Sequence, residues 1–126
     1  MTEYSGFTPR PVPESPDDPN DGDLVINGNL NVSGIITCTD LNSTSDINLK
    51  TNVQTLSNSL EVLKQINPVS FNWKDNGEKS YGVIAQEIEK ILPELVGGSE
   101  DRKTINYIPL IALLIDAVLE LDKRNT

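Results

Sequence analysis

The sequence predicts an α+β protein built from three consecutive parts: an extended N-terminal peptide, a short strand-rich segment and a small mixed domain that ends in a helix. Three observations support this order. Five of the eight prolines fall before residue 20, apolar residues then recur in a six-residue repeat, and the remainder alternates between helical and strand periodicity. The predicted boundaries are 1–23, 24–44 and 45–126.

The first part, residues 1–23, is rich in proline and acidic residues and has too few apolar residues to fold alone. One interpretation is a flexible tail. The other is an anchoring peptide that becomes ordered on a partner protein, with Tyr4, Phe7 and Val12 as its anchors. Either way, this segment contributes little to a core.

The second part, residues 24–44, carries a short repeat of apolar residues with glycine at six-residue spacing. The apolar positions share one parity, so a strand would place them on one face: Leu24, Ile26, Leu30, Val32 and Ile36. Two repeats cannot bury that face alone, but three copies packed around an axis could. The sequence therefore predicts a short trimeric β shaft, followed by a polar connector that ends at Thr44.

The third part, residues 45–126, shows clear element signals. Helical spacing runs from Val53 to Ile66, with Ser57 or Asn58 available as a cap. Strands are predicted at 69–73 and 80–84, joined by a turn at 75–77, and a helix follows at 85–92. Short strands at 95–96 and 103–107 are predicted to flank a Gly97-Gly98 turn, and Pro109 begins the last helix.

The last helix has two apolar stripes. Leu110, Leu113 and Ala117 form one, which we expect to pack within the domain. The other has heptad spacing and is predicted to contact neighbouring copies in a three-helix bundle: Ile111, Leu114, Val118 and Leu121. The alternative is a single buried helix in a monomer core.

Composition excludes several classes of function. A formal charge of −9 argues against nucleic acid as a partner, because phosphate neutralisation requires clustered Lys and Arg. The longest apolar stretch is too short to span a bilayer, so membrane insertion is not expected. The chain has no histidine and one cysteine, Cys38, so neither a metal site nor a cofactor is predicted.

The segment from Ser45 to Lys50 is the one candidate for covalent chemistry. Without histidine, a serine nucleophile needs another base, and a Ser-Lys pair remains. Lys50 could accept the Ser45 proton only in an apolar setting, to which Ile47 and Leu49 could contribute. Contact between the two side chains requires an irregular turn, or a lysine from a neighbouring chain.

This segment, the block from Phe71 to Val96, the Ile105-Asn106-Tyr107 triplet and the closing helix resemble the intramolecular chaperone domain that ends many bacteriophage tail fibres, tail spikes and endosialidases. That domain is also classed as a self-cleaving serine peptidase. The resemblance covers about two thirds of the chain and implies trimers with a terminal helical bundle.

The resemblance also implies site residues. Ser45 would be the nucleophile and Lys50 the general base, and the scissile bond would be Thr44-Ser45, cut once after folding. Asp46 is expected to cap or orient the turn. A charged residue is common in the family at the position of Asn48, so this chain departs from the pattern there.

Two functions follow as expectations. The first is a structural virion protein, a short homotrimeric tail-fibre or baseplate appendage, made in the host cytoplasm and attached to another virion protein through residues 1–23. The second is a self-cleaving chaperone released after maturation. A host cell surface is a further partner compatible with the first function, although no cluster of aromatic residues supports it.

Overall fold

The computed structural model describes residues 22–125. The predicted anchors Tyr4, Phe7 and Val12 lie outside the described residues. The chain divides into two units, Met1–Ser45 and Asp46–Thr126, and each is considered by itself.

Residues 22–45 of the first unit form neither a helix nor a strand, and all of them are exposed. Bends lie at residues 27–28 and 33–34, which matches the six-residue recurrence of Gly28 and Gly34 in the sequence. The predicted shaft requires strands from three copies, and this single chain contains no strand pairing within 22–45. The shaft therefore stays a prediction.

The second unit is a small α+β domain with three helices and two antiparallel hairpins. Its helices are α1 (Ser59–Leu63), α2 (Ala85–Ile91) and α3 (Ile108–Arg124). Strand β1 (Val69–Asn72) pairs with β2 (Lys79–Gly82), and β3 (Val96–Ser99) pairs with β4 (Arg102–Ile105). The predicted α+β class is confirmed for this unit.

The first hairpin forms where the sequence predicts it. Its turn is closed by hydrogen bonds from Trp73 N–H to the Glu78 carbonyl at 2.9 Å and from Gly77 N–H to the Trp73 carbonyl at 2.8 Å. Gly77 takes φ of 75°, a conformation that glycine adopts without a steric penalty. The short Asp-Asn-Gly signal is thus sufficient to fix this turn.

The prediction for the second hairpin was wrong in its turn. Gly97 and Gly98 lie inside β3, and the chain turns at Glu100 and Asp101 instead. Gly98 has φ of 83°, and a Cβ there would collide with the Arg102 carbonyl oxygen. Glycine is needed here because two backbones approach closely, which sequence alone cannot distinguish from a turn.

The first helix is shorter than the sequence predicts. Helical spacing begins at Val53, but α1 begins only at Ser59, and the preceding residues are irregular. Asn58 occupies the position before the helix in a left-handed conformation and makes no side-chain cap. The apolar spacing in residues 53–58 is therefore not that of a helix.

The core of this unit is formed by side chains of α1, α2, α3 and the residues directly after α2. Among the described residues, the buried apolar side chains are Leu60, Ile88, Leu95 and Ala117. Helix α3 packs on α1, and its Leu110 and Leu113 are half-buried, as predicted for that stripe. Within residues 22–125, no helix has both the length and the apolar character required to cross a membrane.

Candidate functional site

The 45–50 motif folds into a capped 3-10 turn at Ile47–Leu49. The Asp46 carboxylate accepts a hydrogen bond from Asn48 N–H at 2.9 Å, and Lys50 N–H donates to the Ile47 carbonyl at 3.1 Å. Asp46 therefore stabilises this turn, and its role in orienting Ser45 and Lys50 stays a prediction. The irregular backbone that a Ser-Lys pair requires is present in this segment.

The same motif is open to solvent in the single chain. Ser45 and Lys50 are exposed, and Ile47 and Leu49 have exposed fractions of 64% and 74%. These two apolar side chains thus do not shield Lys50 within one copy. The division between the two units of the chain falls directly after Ser45, one residue beyond the predicted scissile bond.

The start of α1 is held by two carboxylates of α3. Ser59 N–H donates to Asp116 Oδ2 at 3.1 Å, and Leu60 N–H donates to Glu120 Oε1 at 3.0 Å. These bonds satisfy donors that the five-residue helix cannot satisfy internally. The predicted cap, Ser57 or Asn58, is thus replaced by Asp116 and Glu120, which lie on α3 beside its buried stripe.

Asp116 is the titratable group that this contact perturbs. The Ser59 hydroxyl and the Ser59 backbone N–H lower the pKa of Asp116 below its ordinary value of 3.8, against a partial desolvation that would raise it. Ser59 Oγ is itself buried and makes no hydrogen bond of good geometry, although it lies close enough to the carboxylate to act on it. The contact between α1 and α3 thus favours the ionised form of Asp116.

An open cleft of about 340 Å³ lies beside this contact. Residues of the segment before α1 form one wall, and residues of the C-terminal half of α3 form the other: Leu56, Ser57 and Asn58, then Asp116, Glu120, Lys123 and Arg124. Across it, Arg124 pairs with Glu61 at 3.2 Å. The cleft shows where the segment before α1 crosses α3.

The outer face of α3 is apolar and exposed. The four predicted interface residues have exposed fractions between 46% and 59%: Ile111, Leu114, Val118 and Leu121. Sequence analysis missed three further apolar residues on this face, namely Ile108, Ile115 and Leu119, which are each more than half exposed. The continuous spacing of these residues along one side of the helix was the available signal.

Comparison with known proteins finds similarity that begins at the 45–50 motif. Residues 45–97 match the family model described as "Chaperone of endosialidase", and the match begins at Ser45. The chain is 33% identical over 86 residues to the long tail fiber protein Gp37 of Enterobacteria phage K3, and it has the same identity to the long tail fiber protein Gp37 of Enterobacteria phage T2.

Residues 45–97, about two fifths of the chain, are thus similar to the chaperone domain of endosialidases, and the chain is similar to phage long tail fiber proteins. The resemblance seen in the sequence is confirmed to this extent. The aligned region covers 60% of this chain but only 7% and 6% of the two relatives. The chain thus spans a small fraction of the length of the curated relatives it matches.

Proposed function

We propose that this protein is a structural component of a phage virion, a trimeric tail-fibre or baseplate appendage whose C-terminal domain assembles three chains. The observation that carries the proposal is the exposed apolar face of α3, on the side opposite to the residues that pack on α1. An apolar stripe of this length on a soluble domain marks a contact surface.

Trimerisation would bury the apolar side chains of residues 24–44. In one chain these residues are exposed and unpaired, so their apolar side chains gain burial only from other copies. Pairing between separate chains forms contacts that are distant in sequence, and such contacts form slowly. A domain that associates first raises the effective concentration of the three segments and sets their register.

Attachment completes the proposed role. Residues 1–23 would bind another tail or baseplate protein, and the domain would stay on the particle, after synthesis in the host cytoplasm. The names of the relatives, both long tail fiber proteins, support a place in the virion. A host cell surface is an additional partner that a tail-fibre tip would contact.

Native mass spectrometry of the full chain tests the proposal. We expect a trimer at micromolar concentration. Val118→Asp should convert it to monomer with an unchanged circular dichroism spectrum, because Val118 is 59% exposed in one copy. Tyr81→Asp is the matched control, since Tyr81 is 72% exposed but lies in β2. A monomeric unsubstituted protein would refute the proposal.

A second candidate function is a single self-cleavage before Ser45. The start of the family match at Ser45 and the division of the chain directly after that residue favour it. In this mechanism Ser45 Oγ attacks the Thr44 carbonyl carbon while Lys50 takes the hydroxyl proton. The Thr44-Ser45 amide bond breaks, the Ser45 amine receives a proton, and water hydrolyses the resulting ester to leave a Thr44 carboxylate.

The two candidates predict different masses. A retained appendage gives one species of 13.8 kDa in both the unsubstituted protein and Ser45→Ala. A self-cleaving chaperone gives a fragment that begins at Ser45, and this fragment is absent from Ser45→Ala and from Lys50→Met. N-terminal sequencing of protein from assembled particles makes the same distinction where both forms coexist.

A further inference from the structure

The centre of the exposed face of α3 is not quite the stripe that the sequence suggests. The side opposite to the residues that contact α1, Asp116, Glu120 and Arg124, is centred on four residues at alternating spacings of three and four: Ile108, Ile111, Ile115 and Val118. These are the a and d positions of a heptad, in which letters a to g label seven successive residues. Isoleucine at both a and d favours bundles of three or more helices over pairs.

This register moves two of the predicted interface residues to the edge of the bundle. Leu114 and Leu121 become g positions, and Leu119 becomes an e position. Positions e and g are usually charged, because they border the seam and stay in water. Leucine at both g positions means that this edge of α3 needs apolar cover beyond the three-helix seam.

The segment 46–58, which we call the arm, carries unsatisfied apolar side chains of its own. Ile47, Leu49, Val53 and Leu56 have exposed fractions of 64%, 74%, 63% and 44%. The arm contains one 3-10 turn and no strand, so no local element accounts for its apolar spacing. A contact with another copy would account for it.

The contacts of α1 fix the direction in which the arm leaves its own α3. Glu61 pairs with Arg124 at position c, Leu60 N–H bonds to Glu120 at position f, and Ser59 N–H bonds to Asp116 at position b. Going backwards along the chain, the backbone therefore crosses α3 from c through f to b. The next position around the helix is e, so this path leads the arm towards the e edge.

Three copies around a threefold axis place their helices parallel, and the e edge of each helix then faces the g edge of its neighbour. Leu56 lines the same cleft as residues of the C-terminal half of α3, which also carries Leu121. We propose that the arm of each chain packs against Leu114 and Leu121 on α3 of a neighbouring copy. This inference rests on the proposed trimer and specifies how its chains interlock.

Cysteine cross-linking tests the inference in the full chain. The background is Cys38→Ser, which removes the one native thiol. The test variant adds Leu56→Cys and Leu121→Cys and is treated with a short bis-maleimide, because a direct disulfide requires Cα atoms within about 7 Å. We expect a covalent trimer on a denaturing gel, at least tenfold more abundant than with either single cysteine.

A matched variant separates contacts within one chain from contacts between chains. Leu119→Cys replaces Leu121→Cys in this variant, because Leu119 lies at the e edge of the arm's own helix and is similarly exposed, at 57% against 46%. Leu56→Cys should link to this position within one chain, so the product runs as a monomer.

The outcomes separate the two proposals. If native mass spectrometry finds a trimer, but the Leu56 and Leu121 cysteines link within a chain or do not link, the arm contact is wrong and the proposed function stands. If the protein is monomeric, the proposed function fails and the arm contact fails with it. A covalent trimer from the Leu56 and Leu121 pair supports both.

Discussion

Residues 22–45 and residues 59–125 both contain many apolar side chains, but only the second region buries any of them. In 59–125 the chain reverses through two hairpins, so that α1 meets α3 and α2 meets the second hairpin. Residues 22–45 have no returning segment, and every side chain stays exposed. Regular apolar spacing therefore becomes burial within one chain only where a second element turns back to cover it.

The two sides of α3 show the same contrast between buried and exposed apolar residues. One side packs on α1 and buries Ala117, whereas the other side exposes a continuous apolar stripe. The domain thus has a small core of its own together with a surface suited to further copies. Substitutions in the two regions should separate these contributions.

The largest effect is expected from Ile88→Ala. Ile88 is 1% exposed, and removing a buried side chain of this size costs about 2–5 kcal/mol through lost burial and the cavity left behind. Urea unfolding followed by circular dichroism measures the loss. The control is Ile35→Ala, at 88% exposure and on the opposite parity to the shaft face, which should change stability by less than about 0.5 kcal/mol. A loss at Ile35 similar to that at Ile88 would mean that 22–45 is packed on both faces.

Gly98→Ala should have the next largest effect. The substitution forces a side chain into φ of 83° and against the Arg102 carbonyl, which we expect to cost about 1–3 kcal/mol of unfolding free energy. Gly34→Ala is the comparison in the exposed region, because nothing lies within 4 Å of its Cβ position in one chain. If Gly34→Ala lowers the stability of the trimer while leaving the monomer unchanged, the backbones of neighbouring copies meet at Gly34.

The sequence predicted those elements whose signals are local. The Asp-Asn-Gly turn, the helix start at Ala85, the start of α3 one residue before Pro109 and the inward stripe of α3 all depend on residues close in the chain. The family match begins at Ser45, where the resemblance placed the start of the domain, and the roles of Ser45, Lys50 and Asp46 stay predictions.

The errors arose where distant residues decide the local structure. Helix α1 starts at Ser59 because Asp116 and Glu120, far along the chain, supply its caps. Gly98 is required by the nearness of Arg102 on the paired strand rather than by a turn. The interface stripe of α3 stays a prediction, because the helical spacing alone allows more than one choice.

A smaller effect is expected from the carboxylate that caps α1. The pKa of Asp116 is lower in the folded state than its ordinary value of 3.8, so its ionised form stabilises the fold. This contribution is complete above that value and is lost as the pH falls through the folded pKa, below 3.8. Asp116→Asn should be less stable at neutral pH and should lose part of the acid dependence that urea unfolding reveals. An unchanged acid profile would contradict the role of Asp116.

The smallest effect should come from the ion pair between Arg124 and Glu61. Both side chains are about half exposed, at 54% and 48%, so water and salt screen the pair, and Arg124→Gln should cost about 0.5 kcal/mol or less. Lys103 provides the contrast, since its side chain is 13% exposed and lies 3.4 Å from Glu89 and 3.6 Å from Glu100. Lys103→Gln should therefore cost more than Arg124→Gln, and the loss should depend less on salt. Equal losses in low and high salt would show that the link between α2 and the second hairpin depends on packing rather than on charge.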